Sequence, residues 1–593
     1  MFASKLSRHW AGPVRAPSLV CLLAVMLLAA VPSLAQTGAG AGKIEFSQAL
    51  LPRIPANLPL LRMTPQAPPE AFLTDVLVKA GVQKTAIKLL GPASPQMKGV
   101  VQEGRVFAFW HQQTGEAEIL PQLEQLKTER YTPGVNPHAE TTLSTARAIF
   151  ARPDVIPRDV TQLELTPVKP LVGVTLEKGS TNTMPAASLY LNYVAAQRLV
   201  QGIPVHGPGS RAMIAVDNGG TVQAVSLKWR VAANGGQAQE KRSPAQIHDA
   251  LQTVVAPLAQ EGNVQVLGVN VVYYDDNLSS QVGPAYRITA RVSGNRAADS
   301  SAGADDGLVI LYAQYGNAPL PASLTQSGGP APQNAQVNRG SLTEDTQVAP
   351  GDPTVGVYVI RNAEGGWLSD GQGFISGLGA WSPGTFTLAQ YYWAQRYMYN
   401  PNASSWVDSV QVAETEGHGD WWHFTTDDQN WSTEDVNFDS FPNSAAGYGS
   451  VNHGKLNYWI LHGCEEIPSP EDTPCPKGSP HTDNRSWTDP WWRIFQGLHT
   501  VVGYRTVMWI NDGVGQPFAT SIKNGTPVIS AWFNALESSS AYHPDANYVN
   551  HCGLNWPMGR PAAVTVCGHG NDTIYDQQSI PAASCLTIYW QPN

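Results

Sequence analysis

Apolar and polar residues run along this chain in two rhythms, and the change between them marks its organisation. Through residues 70–315 short alternating runs predominate. Gly104–His111, Gly173–Glu177, Ala212–Val216, Thr221–Trp229, Val264–Tyr274 and Ala285–Val292 predict strands. Asp217-Asn218-Gly219-Gly220 is a hairpin turn between two of them. Ala71–Ala80 and Thr141–Phe150 predict helices, and Ser243-Pro244 opens a third, an N-cap followed by proline at the first helical position, running to about Val255. Leu189–Val200 is amphipathic. From Val355 the rhythm changes. Longer apolar runs, at Val355–Ile360, Val410–Ala413, Leu456–Leu461, Thr500–Thr506 and Ala562–Cys567, alternate with helical patterns at Thr385–Tyr399, Trp491–Leu498, Pro517–Lys523 and Val528–Glu537. Strands buried on both faces read as continuous apolar runs, and their alternation with helices predicts an α/β fold with a mostly parallel sheet. The stretch 316–353 is rich in Pro, Gly, Ser, Gln and Asn, the composition of a linker and an exposed place for cleavage. The expected organisation is a leader over 1–35, α+β regions over 36–164 and 165–315, the linker, and an α/β domain over 354–593.

Length and composition support several domains: 593 residues at 42% hydrophobic content can fill more than one core. The leader carries Lys5, Arg8 and Arg15, then the apolar run Leu19–Val31, then Ser33-Leu34-Ala35 as a cleavage site before Gln36. That apolar run is shorter than the roughly 20 residues a membrane span needs. The expectation is an exported protein, extracellular or periplasmic, with no membrane contact once the leader is removed. The formal charge of −10 becomes more negative when three leader cations are lost, which argues against nucleic acid as a partner.

Export changes the meaning of the cysteines. Without Cys21 five remain: Cys464, Cys475, Cys552, Cys567 and Cys585. In an oxidising compartment four can form two bridges and one stays a thiol. Cys464 ends a buried-strand pattern and is the natural exception. Three pairings of the other four are open, and a Cys464–Cys475 bridge also remains open.

The candidate chemistry lies in Asp408–Cys464. The first apolar run there leads through a short polar step to His418-Gly419, and the second ends at Cys464, 46 residues beyond His418. That interval has room for the crossover that parallel pairing requires. In open α/β sheets chemistry collects at the carboxyl ends of strands, so adjacent parallel strands would bring an imidazole and a thiol to one rim. A thiolate can attack a carbonyl while the imidazole takes and returns the proton. Glu414 and Glu416 are placed to orient His418, and His462, two residues before Cys464, faces the same side.

This grammar, with the Cys464-Glu465 step, resembles the caspase-like cysteine peptidases, which include caspases, legumains, gingipains and clostripains. The resemblance covers roughly the last 240 residues. It implies a peptide or protein substrate, Cys464 as nucleophile, His418 as general acid and base, and the N–H groups of Gly419 and Cys464 as oxyanion donors. Glu465, Glu466 or Asp512 would favour a basic residue before the cut. Further upstream, Gly202-Ile203-Pro204-Val205-His206-Gly207 and the strands after it resemble the propeptide modules of thermolysin-like peptidases and the related PepSY domains. In those families such modules chaperone or inhibit an attached peptidase, which implies an intramolecular contact between the two halves.

Two other classes fit parts of the pattern. His418, Asp420 and His423 suggest a metal-dependent hydrolase, although their spacing is no recognised zinc pattern. The run Asp427, Asp428, Glu434, Asp435 and Asp439 leaves room for a structural Ca²⁺ but lacks the glycine placement of an EF-hand. No other cofactor is expected. The pairs Trp421-Trp422 and Trp491-Trp492 suggest an inactive caspase-like binding module with a Trp-rich surface.

Overall fold

Four apolar runs of the C-terminal region and the segment Thr387–Trp393 lie side by side as parallel strands. In chain order the elements are β1 (Thr354–Val359), α1 (Gly366–Leu378), β2 (Thr387–Trp393), β3 (Val412–Glu416), β4 (Tyr458–His462), β5 (Thr500–Tyr504), α2 (Gly515–Lys523), α3 (Val528–Ser539), β6 (Pro561–Val566) and β7 (Cys585–Trp590). The strands pair in the order β2-β1-β3-β4-β5, all parallel, and β6 and β7 then add antiparallel. The computed structural model describes residues 42–593 apart from 91–95, 181–184, 261, 295–306, 322–323, 325–330, 335–352, 362–365, 381–385, 428–432, 441–446, 480–484 and 540–545. The expected leader and most of the 316–353 stretch lie outside the described residues.

The sheet does not stop at β7. Lys169–Glu177 pairs with β7, and Ser188–Val200, Ser210–Asp217, Val222–Trp229, Ala117–Ile119 and Arg105–His111 follow, all antiparallel. Among the described residues the result is a mixed α/β fold built on one connected sheet of 22 strands with few helices. Among the described residues the parallel ladders are those of β1–β5 and two short contacts of Gly262–Tyr274, with single parallel bridges such as Val309–Ile510 besides. Antiparallel pairing dominates the rest.

Three expectations need correction. Thr385–Tyr399 is not a helix: its described part forms strand β2 and a single 3₁₀ turn at Arg396–Met398. Thr387, Tyr391, Tyr392 and Trp393 are β-formers, and pairing along β1 overrides the helical spacing. Trp491–Leu498 holds only one helical turn, Trp491–Ile494, and Gly497 at φ 105° turns the chain toward β5. Ala562–Cys567 is not the last strand, because β7 follows it and carries the sheet into the N-terminal half. The amphipathic stretch Leu189–Val200 is a thirteen-residue strand.

Helices α1, α2 and α3 cover one face of β1–β5. Helix α1 contains Gly371 and Gly377, although glycine in a helix interior costs about 1 kcal/mol relative to alanine. Contact explains them. A Cβ at Gly377 would stand 2.4 Å from the Gln516 carbonyl oxygen on α2, and one at Gly371 would meet Val359 at 3.1 Å. The opposite face of the sheet packs on an aromatic core around Trp459.

Disulfides join Cys475 to Cys552 and Cys567 to Cys585. Cys464 lies outside both. The bridges suit an oxidising compartment. Among the described residues no helix is long and apolar enough to cross a membrane.

Candidate functional site

Strands β3 and β4 are register partners, with Val412 opposite Tyr458 and Glu416 opposite His462. His418 and Cys464 each stand two residues past the last of these pairs. They therefore leave the same end of adjacent strands, as the two apolar runs predict. The chains remain in contact beyond the pairing: a Cβ on Gly419 would lie 2.5 Å from the Cys464 carbonyl oxygen and 2.4 Å from Cγ of Glu466. Only glycine fits this approach. His418 is buried, with the Trp367 ring edge-on at 5.5 Å. Cys464 is half-buried, and the Met508 N–H faces its sulfur at 3.5 Å. Glu465 follows in the left-handed region at φ 54°, which costs a non-glycine residue on the order of 1 kcal/mol. A hydrogen bond of 2.7 Å from the Tyr548 hydroxyl holds its side chain.

Beneath this rim, facing α1 and α2, lies a layer of ionisable groups. His462 Nδ1 is 2.9 Å from Glu416 Oε1, and its Nε2 is 3.3 Å from Asp512 Oδ2. The Tyr504 hydroxyl donates to the same Asp512 oxygen, and the Tyr504 ring stacks on His462. Asp370, on α1, accepts the Asn511 N–H at 2.7 Å. Burial favours neutral His462, but Glu416 and Asp512 outweigh it and hold the imidazole charged well above its ordinary range. Burial raises the carboxyls of Glu414 and Glu466 far above the usual carboxylate range, and Glu416 adds to both shifts. Burial also raises Asp370, with Asp512 adding to it.

Residues 380–579 match the model of a family described as a domain of unknown function (DUF6345). That segment holds β2 through β6, and with them His418, Gly419 and Cys464. No curated protein matches the chain. Among solved structures, the chain is similar to an uncharacterised protein from Eubacterium rectale ATCC 33656. The identity is 8%, the match covers 47% of this chain and 90% of that one, and the TM-score is 0.26.

Several candidate residues have roles other than those expected. Glu416 turns to His462 and not to His418. Glu465, Glu466 and Asp512 are all buried, and Glu465 and Asp512 already bond to tyrosine hydroxyls. Asp420 meets His551 at 3.2 Å, and its ligand atoms do not converge with those of His418 and His423 among the described residues. Burial would raise the Asp420 carboxyl, but the His551 bond and the nearby His423 hold it below the usual range. The acidic run is spread along a hairpin. Glu434 pairs with Arg396 at 2.8 Å, Asp439 pairs with Arg485, and buried Asp427 accepts the Arg361 N–H, while Asp428 lies outside the described residues. The tryptophans expected at a surface are core: Trp421, Trp422 and Trp491 are buried, and Trp492 is half-buried.

Sequence reasoning passed over Asp370 and Tyr504. Asp370 lies in a glycine-rich helix and Tyr504 in an apolar strand, and neither pattern marks a functional group. The signal that was available is Glu-x-Glu on one strand with histidine at the matching end of the next.

Proposed function

We propose that the C-terminal region is a caspase-like cysteine endopeptidase, secreted and held in check by the N-terminal half. The observation that carries this reading is the parallel register of β3 and β4, which gives His418 and Cys464 a common exit with Gly419 against the Cys464 backbone. The disulfides add support, because they consume the other four cysteines of the exported chain.

In this mechanism the Cys464 thiolate attacks the scissile carbonyl carbon. The N–H groups of Gly419 and Cys464 receive the developing oxyanion. His418 protonates the departing amine, leaving a thioester on Cys464. Water, deprotonated by His418, then attacks the thioester, releasing the carboxylic acid and returning the proton to the pair. The Trp367 edge and the buried setting of His418 hold the ring in place.

Restraint by the N-terminal half is supported by two contacts. Strand residues Gly307–Gln314, from that half, run beside the loop after β5. The Ile310 N–H bonds to the Ile510 carbonyl at 3.2 Å and the Ile510 N–H to the Leu308 carbonyl at 2.8 Å. Ile510 is two residues from Met508, whose N–H faces Cys464. Gln333, within the linker, exchanges backbone hydrogen bonds with the free edge of β2. An extended chain at this position competes with an extended substrate.

The test uses the secreted protein and its Cys464→Ala variant, each intact and nicked within 316–353, incubated with a denatured peptide library. Sequencing of new amino termini should reveal cuts by nicked wild type that the variant does not make. If nicked wild type and variant give the same termini, the peptidase reading fails.

A further inference from the structure

One cluster beneath the rim is not used by the proposed hydrolysis. Glu414 and Glu416 are two apart on β3, so their side chains leave the same face. His462 is the register partner of Glu416 on β4. Ligand atoms of Glu414, Glu416 and His462 all lie within 4.8 Å of one another, and none of the three residues is more than 1% exposed. The 2.9 Å between His462 Nδ1 and Glu416 Oε1 suits a hydrogen bond. It also suits two neighbouring ligands of one ion, since bonds of about 2.1 Å at right angles put their ends about 3 Å apart.

A second observation points to a ligand. Oε2 of Glu414 and Oε2 of Glu416 are buried and take no hydrogen bond from an N–H or hydroxyl donor; the two carboxyls lie within hydrogen-bond reach of each other. Two buried carboxyls that face each other are satisfied only by a proton or a cation held between them. The far side of the imidazole is braced in the manner of a metal ligand. Nε2 faces Asp512, which in turn accepts from the Tyr504 hydroxyl and, at 2.9 Å, from the Val514 N–H. A carboxylate that accepts the Nε2–H fixes the orientation of the ring, and a cation at Nδ1 takes the place of the second imidazole proton.

We propose that Glu414, Glu416 and Nδ1 of His462 bind one divalent cation of the Zn²⁺ or Mn²⁺ class. One imidazole nitrogen with two carboxylates suits these ions better than Ca²⁺, which gathers six to eight oxygens, or Mg²⁺, which keeps its water. A cavity of about 320 Å³ is lined by Asp370, Gln372, Asn511 and Gly513, and a ligand atom of Asp370 lies within 4.8 Å of those of His462 and Asp512. The cation neutralises buried carboxylates and ties the last residues of β3 to those of β4, two residues short of His418 and Cys464. The proposal stands whether or not Cys464 is a nucleophile.

The test uses the full secreted chain, stripped with a chelator and titrated with Zn²⁺ or Mn²⁺. Metal content and thermal midpoint are followed together. One ion per chain is expected, with a midpoint rise of about 5 °C and at least about tenfold weaker binding by Glu414→Gln. A second cluster, His499, His569 and Asp572, also brings ligand atoms within 4.8 Å of one another. Zinc-edge X-ray absorption on loaded wild type separates the two without any variant. One imidazole among oxygen ligands is the expected shell, and two imidazoles would overturn the proposal. Binding abolished by His569→Gln but unchanged in Glu414→Gln, or no uptake at millimolar metal, would overturn it equally.

Discussion

The two faces of β3 and β4 are equally buried and chemically opposite. Ala413, Thr415, Trp459 and Leu461 point to one side, where the Trp459 ring meets Tyr448, Phe438, Phe424 and Tyr399 with centroids 5.0 to 6.2 Å apart. Glu414, Glu416 and His462 point to the other, where they meet Asp370, Tyr504 and Asp512. On the aromatic face, burial is itself the stabilising force, since dispersion and apolar area both grow with it. On the ionisable face, burial opposes the charged forms and pushes the carboxyls of Asp370, Glu414 and Glu416 upward. Replacing a buried ionic layer by packed apolar residues is often neutral or stabilising, so such a layer is weak evidence for stability. The contrast divides the strands into a side that holds the rim in place and a side that equips it.

The comparison breaks most visibly at its most packed residue. Trp459→Ala should destabilise the fold by about 3–5 kcal/mol, read as a lower denaturant midpoint, because it empties the aromatic core and strips the Thr415 hydroxyl of the Trp459 Nε1–H bond of 3.0 Å. A loss below about 1 kcal/mol would mean that this face is not the stabilising one.

An isosteric change on the other face should carry the opposite sign. Glu466 is fully buried, and the Gly463 backbone N–H stands beside its carboxyl. Its folded pKa lies well above the unfolded value, so the native state holds the proton more tightly. That contribution is complete below the unfolded pKa and is lost as pH rises through the folded one. In chelator-stripped protein Glu466→Gln should therefore be more stable than wild type at pH 8, by about 1–3 kcal/mol, with no gain at pH 4. Equal stability of the two proteins across that range would remove the argument that charge is confined here against a penalty.

The smallest effect is expected in the acidic hairpin. Arg396 and Glu434 are 44% and 38% exposed, so Arg396→Ala should change stability by less than about 0.5 kcal/mol. A larger loss would indicate that this hairpin, and not the layer under the rim, is the electrostatically organised part of the domain.

Much of the scaffold is legible in the sequence because it depends on local pattern. The run Leu456–Leu461 announces β4, Asp217-Asn218-Gly219-Gly220 announces a hairpin, and the odd count of cysteines singles out Cys464. The misread stretch Thr385–Tyr399 shows where local pattern fails. Its spacing suits a helix, yet the edge of β1 was available to pair with it, and cross-strand bonds outweigh a weak local preference. The ionisable layer was not legible as a layer. Glu414 and Glu416 are conspicuous in the sequence, but their partner His462 is 46 residues beyond Glu416, and Asp370 and Asp512 come from a helix and a loop.

By itself the sequence determined which residues end the buried strands, and so which imidazole and which thiol can reach a rim. It did so because strand burial leaves a mark in consecutive residues. Tertiary structure decided the rest: that β3 and β4 are neighbours in register, that Glu416 serves His462 and not His418, that the cysteines pair 475 with 552 and 567 with 585, and that the sheet continues from β7 into the N-terminal half. Each of these is a choice among distant partners, made by which faces the folded chain brings together.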